Sequence, residues 1–284
     1  MQGEPTSGLR SPSPSSPCLV LTRASEPDAS ARASEAGGLA AQLRIRGVQV
    51  REFALLHLLA ASDPARAAEV LRRLPSYALA VVVSPAAARA TAALLREPWP
   101  TGCALAAVGA ASRDAMQQAL RGRGQDPQAL HWISAEQPAA DSESLWRELQ
   151  AWRATWHGVR VLVLRGDGGR EWLSDILRAH GAEVQALEVY RRAPPAPDAQ
   201  RLQCLRELLQ PGTAWQIAAD SALRNLCQLL RSAGLPPRQA LASQRALVHH
   251  PRLAQAARAA GFGRVDVVTF DAEELAHALS RNGL

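Results

Sequence analysis

At 284 residues the chain is long enough for two domains of ordinary size, and 47% hydrophobic with 4% aromatic content describes a globular protein with a core of Leu, Val and Ala. All 32 basic residues are arginine, which excludes pyridoxal phosphate held as an internal Schiff base, Schiff-base aldol chemistry and a P-loop lysine. The net charge of +6 points to an anionic partner. Because the arginines are spread along the chain without blocks or aromatic-basic stripes, a small polycarboxylate or phosphate suits it better than nucleic acid or an acidic membrane.

Residues 1–17 hold Ser, Pro, Thr and Gly with almost nothing apolar, so they predict a disordered leader. No apolar segment resembles a signal peptide, and no run reaches the ~18 residues of a membrane span. A cytoplasmic protein is therefore expected. Short apolar strands are predicted to begin near Cys18, Val48, Ala78, Cys103, Leu130, Val159, Val184, Ala214, Arg245 and Val265, nearly every one followed by an amphipathic helix. Such alternation means parallel sheets with helices on both faces, and two sheets of about five strands are more natural than one. Helix starts are expected at Asp63-Pro64, Ser84-Pro85, Asp141, Asp220, His250-Pro251 and Asp271, and helix ends at Gly47, Gly181, Gly234 and Gly261.

Two extended stretches, Phe53 to Leu59 and Leu187 to Ala193, lead into the linker-like segments A-A-S-D-P and P-P-A-P-D. If both cross between lobes, the first lobe is discontinuous (residues 18–53 and 198–284) and the second is the insert 54–197. The two crossings would form a hinge above a cleft. The four cysteines, Cys18, Cys103, Cys204 and Cys227, form no C-x-x-C pair and read as buried free thiols, two in strands and two in helices.

Several strand ends carry candidate chemistry. Val81 to Ala88 ends a strand at Ser84, whose hydroxyl is placed to cap the next helix. In A-V-G-A-A-S (107–112), Gly109 leaves room for a ligand and Ser112 lies in the first helical turn. The stretch 159–192 contains strand, glycine turn, helix and second strand. Its R-G-D-G-G-R (165–170) fails the G-x-G-x-x-G fingerprint, because Glu171 stands where the third glycine belongs. What remains is either a plain turn or an anion cradle flanked by Arg165 and Arg170. The second strand ends in Tyr190, one of two tyrosines, flanked by Arg191 and Arg192. A tyrosine there is either an aromatic closing a strand or a phenol facing the cleft. His249-His250 lacks further ligands at metal-binding spacing, and no nucleophile elbow is present.

The segments L-V-L-T-R (19–23), G-V-Q-V (47–50), V-V-V-S-P-A-A-A-R-A (81–90), A-V-G-A-A-S (107–112), V-L-V-L-R-G-D-G-G-R (161–170), V-Y-R-R (189–192), S-A-L-R-N-L (221–226) and H-P-R-L-A-Q-A-A-R-A-A-G-F (250–262) together resemble the uroporphyrinogen-III synthase family. The resemblance runs over residues 18–281. It implies an α/β fold of two parallel-sheet lobes joined by a two-stranded ladder with a cleft between them. It also implies an enzyme without cofactor or metal that cyclises hydroxymethylbilane, a linear tetrapyrrole polycarboxylate, with loss of water and inversion of ring D. The preceding pathway enzyme would be a transient partner. By carry-over Tyr190 would hydrogen-bond the leaving hydroxyl, and Ser84, Gly109, Ser112, Gly166 and Ser221 would contact substrate. Arg23, Arg165, Arg170 and Arg252 would bind its carboxylates. Two departures stand out: about eight extra residues between Arg23 and Leu39, and a shift of the hydroxyl positions around Ser221, which places that residue for helix capping. The competing readings are a two-lobed α/β module that binds an anionic small molecule without turning it over, and a nucleotide-dependent enzyme, which the missing fingerprint disfavours.

Overall fold

The computed structural model describes residues 18–22, 38–134, 141–168 and 171–281. The leader and the extra segment after Arg23 lie outside the described residues. In chain order the elements are β1 (Cys18–Leu21), α1 (Leu39–Ile45), β2 (Gln49–Glu52), β3 (His57–Ala60), α2 (Pro64–Arg72), β4 (Leu79–Val82), α3 (Pro85–Leu94), β5 (Ala104–Ala107), α4 (Ala110–Arg121), β6 (Trp132–Ser134), α5 (Ser142–Trp152), β7 (Arg160–Gly166), α6 (Trp172–Ala179) and β8 (Glu183–Ala193). They continue with α7 (Ala199–Leu208), β9 (Ala214–Ile217), α8 (Asp220–Ser232), the short α9 (Pro237–Ala240), β10 (Arg245–Val248), α10 (Pro251–Ala260), β11 (Arg264–Val267) and α11 (Ala272–Ser280).

The chain divides into two compact units: unit 1, from Met1–His57 and Ala193–Leu284, and unit 2, Leu58–Arg192. Unit 1 holds a parallel five-stranded sheet in the order β11-β10-β9-β1-β2. Period-two alternation sends Val20, Trp215, Ile217, Ala246 and Val248 to one face, under α8 and α10. Leu19, Leu21, Ala214 and Leu247 go to the other, under α1 and α11. Both faces are thus apolar, as an all-parallel sheet requires.

In unit 2 the order is β3-β8-β7-β4-β5-β6, with β4 to β8 mutually parallel. Ala80, Val82, Leu105, Leu162 and Leu164 pack beneath α2, α3 and α4. Leu79, Val81, Ala106, Val161 and Val163 pack beneath α5 and α6. At about 1.5 to 3 kcal/mol for each fully buried aliphatic side chain, these two layers supply the main driving force of the unit. Edge strand β3 lies beside β8, and the chain leaves unit 1 at His57 and returns to it at Ala193.

Local signals account for most helix ends. Asp63, Ser84, Asp141 and Asp271 each accept a backbone N–H three residues on, at 2.8 to 3.1 Å, and His250 Nδ1 accepts from Arg252 N at 3.1 Å. Gly47, Gly181, Gly234 and Gly261 take φ of 80°, 92°, 74° and 112° after their helices. Asp220 differs from expectation. The Ala219 carbonyl accepts the first helical bond, from Leu223 N, so Ala219 is the cap residue of α8 and carries no side-chain acceptor. Asp220 and Ser221 are its first two helical residues, where a carboxylate still complements the helix dipole.

Two more expectations change. β6 starts two residues after Leu130, because Leu130 closes a 3-10 turn over Pro127–Ala129. Only two of the four thiols are buried: Cys103 and Cys227 lie inside, whereas Cys18 and Cys204 are half-buried. Cys103 precedes β5 and does not belong to it.

Candidate functional site

The site is built where β7 ends beside β8, which does not stop at Tyr190 as expected from the sequence but runs on to Ala193. Their register runs evenly from Arg160 opposite Glu183 to Arg165 opposite Glu188, then slips by one residue so that Gly166 faces Tyr190. The extra residue is Val189. This bulge lets two consecutive residues, Val189 and Tyr190, bury in the same core cluster, with 1% and 3% of their surface exposed.

Gly166 is what allows the tyrosine to lie there. A Cβ on Gly166 would sit 2.6 Å from Tyr190 Cζ and 2.9 Å from Cε2, closer than carbon atoms approach without a shift. The phenol ring therefore rests directly on the end of β7. Asp167 clamps the same corner, its N–H donating to the Tyr190 carbonyl at 3.0 Å and its carboxylate accepting from Arg192 N at 2.7 Å.

The phenol oxygen has two polar neighbours. Arg192 Nη2 donates to Tyr190 Oη at 2.5 Å, with the guanidinium carbon 5.2 Å from the ring centre. Ser84 Oγ lies 3.3 Å away and also accepts from Ala87 N at 3.1 Å, capping α3. These groups line an open pocket in unit 2, walled by Val83, Val108, Val163 and Leu173 and reached by Ser142 and Ser174. Apolar walls with a few convergent polar groups are the usual character of a small-molecule site.

Of the sequence-predicted residues, this pocket brings together Tyr190, Ser84, Arg165 and Gly166. Arg165 is buried, and its guanidinium is held by the carboxylate of Glu171, so it meets an acid of its own chain. In the turn that follows, the Asp167 N–H is spent on β8, and residues 169–170 lie outside the described residues. Ser112 does not cap α4. It is 2% exposed, and its hydroxyl donates to the Val108 carbonyl at 3.1 Å. Gly109 is the cap residue, with φ 82° and ψ 162°, a conformation only glycine takes readily, and α4 has no side-chain cap.

Ser221 and Arg252 belong to unit 1, in the first turns of α8 and α10, Ser221 half-buried and Arg252 exposed. Arg23 and Arg170 lie outside the described residues. Ser142 and Ser174 line the pocket too and were missed by sequence reasoning, as was a site role for Arg192. Its signal was present, because a residue two positions from Tyr190 on a strand shares its face.

His250 is used as a cap, and His249 packs edge-on against Phe270 at 5.2 Å. Among the described residues, no three His, Cys, Asp or Glu side chains gather as a metal site would require. Among them too, no helix is long and apolar enough to cross a membrane.

The family model described as uroporphyrinogen-III synthase HemD matches residues 38–277. Among curated relatives, uroporphyrinogen-III synthases of Escherichia coli and Salmonella typhimurium are each 57% identical to this chain over 35 residues, spanning 12% of the chain and only 14% of each relative's length. Among solved structures, a mutant uroporphyrinogen III synthase from Thermus thermophilus aligns with a TM-score of 0.51 at 19% identity, covering 94% of this chain and 97% of that one. Uroporphyrinogen-III synthetase from Helicobacter pylori aligns with a TM-score of 0.54 at 12% identity, covering 94% and 100%. Those two likenesses speak for the two-lobed α/β fold. The family match, which spans most of the chain and includes both Tyr190 and the strand ends around it, places this protein in the uroporphyrinogen-III synthase family.

Proposed function

We propose that this chain is a cofactor-independent lyase that converts hydroxymethylbilane to uroporphyrinogen III. The observation that carries the reading is the phenol of Tyr190, held on Gly166 in a pocket that joins apolar walls to serine and arginine side chains. The chemistry asks little covalent help of a protein. When the terminal C–O bond breaks, the electron pair stays on oxygen, a donated proton makes it water, and the remaining azafulvenium is electrophilic enough to be attacked by a pyrrole carbon of ring D without further activation. Among the hydroxyls of the pocket, Tyr190 and Ser84, 3.3 Å apart, are the pair assigned to that departure.

The apolar walls have the second task of keeping water away from the cation until ring D has attacked through the spiro intermediate and inverted. Closure then releases one proton, so one water is lost and no net proton is consumed. A protein with 32 arginines and a net charge of +6 is a suitable host for a substrate carrying eight carboxylates.

The test couples the protein to a source of hydroxymethylbilane and resolves the isomers formed. Type III uroporphyrinogen is the expected product. Type I alone, which forms spontaneously, would leave a binding module and end the enzymatic reading.

A further inference from the structure

We propose that Arg192 is a positioning residue: it sets the direction of a hydrogen-bond chain that runs from its guanidinium through Tyr190 and Ser84 into the pocket. The inference rests on the role given to Tyr190 above. Its argument is one of donors and acceptors. A guanidinium can only donate, so at the 2.5 Å contact Tyr190 Oη is the acceptor and its own proton must point elsewhere. Ser84 Oγ, 3.3 Å away, is the neighbour that can take it.

Ser84 Oγ already accepts the Ala87 N–H at the start of α3. With both lone pairs engaged by donors, its hydroxyl proton is left for the pocket that Ser84 lines. Two groups that cannot reverse, a guanidinium and a helix N-terminal amide, thus stand behind two hydroxyls that can. Either hydroxyl alone could accept from a ligand as readily as donate to it. With Arg192 in place the chain presents a donor, which is what a departing hydroxyl needs.

In the step itself the substrate C–O bond breaks toward oxygen, Ser84 gives its proton to that oxygen, and Tyr190 replaces it. The proton released at ring closure restores the phenol. The arrangement is local to one strand and one turn, because Arg192 lies two residues beyond Tyr190 on β8 and its backbone is fixed to Asp167.

Steady-state kinetics of Arg192→Met, Arg192→Lys, Tyr190→Phe and the Tyr190→Phe/Arg192→Met pair test this. Arg192→Met should lower kcat on the order of 10- to 100-fold, the scale of one lost charged hydrogen bond. KM should change by no more than about twofold, since an interaction felt only in the transition state is being removed. Lysine should recover part of the loss, and Arg192→Met should add nothing in the Tyr190→Phe background. A raised KM at unchanged kcat, or an equal fold-loss in both backgrounds, would make Arg192 a substrate-carboxylate contact and overturn the proposal.

A second readout needs no turnover. With carbon-13 at tyrosine Cζ the protein has two signals, from Tyr77 and Tyr190, assignable by Tyr77→Phe. Arg192→Met should move the Tyr190 signal and leave that of Tyr77, which bonds to Gln185, in place. An unmoved Tyr190 signal would overturn the proposal as well. If the unmodified protein yields only the type I isomer, the functional reading fails separately, and the resonance still decides whether Arg192 holds the phenol.

Discussion

Tyr190 keeps its hydroxyl at a pocket although its ring is almost wholly buried, and that combination fixes what substitutions should do. Tyr190→Phe preserves the ring on Gly166 and removes only the donor, so turnover is expected to fall on the order of 100-fold with the fold intact. Unchanged turnover would return the residue to a purely structural role. Gly166→Ala should cost nearly as much activity from the other side, since the added methyl would stand 2.6 Å from Cζ and displace the ring. Circular dichroism should show the secondary structure retained in both.

Cys103 offers a check on burial that is independent of activity. Burial pushes its thiol up to about 12, so at pH 8 it is essentially all thiol and a poor nucleophile. In a thiol titration of the native protein at pH 8, Cys103 should react only after denaturant is added. Immediate reaction would mean that the start of β5 opens readily.

At the scale of elements, the same strand–turn–helix unit does different work according to what its turn contains. After β4 a serine caps the helix and turns its hydroxyl to the pocket. After β5 a glycine bends the chain and the following serine bonds inward. After β7, Asp167 of the turn holds β8. In unit 1 the comparable investment is structural. Arg245, 5% exposed, donates from β10 to Asp266 on β11 at 2.6 Å and to the Ala278 carbonyl of α11 at 3.0 Å. Removing the acid would leave a buried guanidinium with one neutral partner. Asp266→Ala is therefore expected to lower stability by about 3 kcal/mol in urea unfolding, the lower end for a broken buried pair. A loss within error of zero would show that water reaches Arg245 freely.

At the scale of the whole molecule, the segment by which the chain leaves unit 1 is tied to that unit. Arg201 donates to the Ala54 carbonyl at 2.9 Å, Asn225 donates to the Leu55 carbonyl at 2.7 Å, and Arg201 Nη2 lies 3.3 Å from His57 Nε2. Since arginine only donates, the His57 nitrogen accepts and the ring is neutral. Desolvation, and then the nearby Arg201 charge, lower the His57 pKa below its ordinary value of 6.5. The unfolded chain thus binds this proton more readily than the folded one. The stabilisation from His57 is complete above pH 6.5 and is lost as pH falls through that value toward the lowered folded-state pKa. His57→Gln should flatten the dependence of stability on pH in that window and leave it unchanged above pH 7. An identical profile in the variant would assign the dependence to other groups.

Much of this architecture is legible in the amino-acid sequence. Alternating apolar strands and amphipathic helices, five side-chain caps at expected helix starts and glycines at four helix ends are local features, decided within a few residues of chain, and they suffice for two parallel α/β sheets. Tyr190 and Ser84 are recognisable as candidates for the same reason, each standing where an apolar run gives way to polar residues, although β8 itself continues to Ala193. The partners of those residues are another matter. That Arg165 would be held by Glu171, that Ser112 would turn inward, that Gly166 would seat the phenol and that Arg192 would reach its oxygen all follow from which strand lies beside which, and from a one-residue slip in the register of β7 and β8. A register is a property of two distant segments at once. Sequence periodicity therefore determined which faces are apolar, whereas only the tertiary pairing decided which polar groups meet.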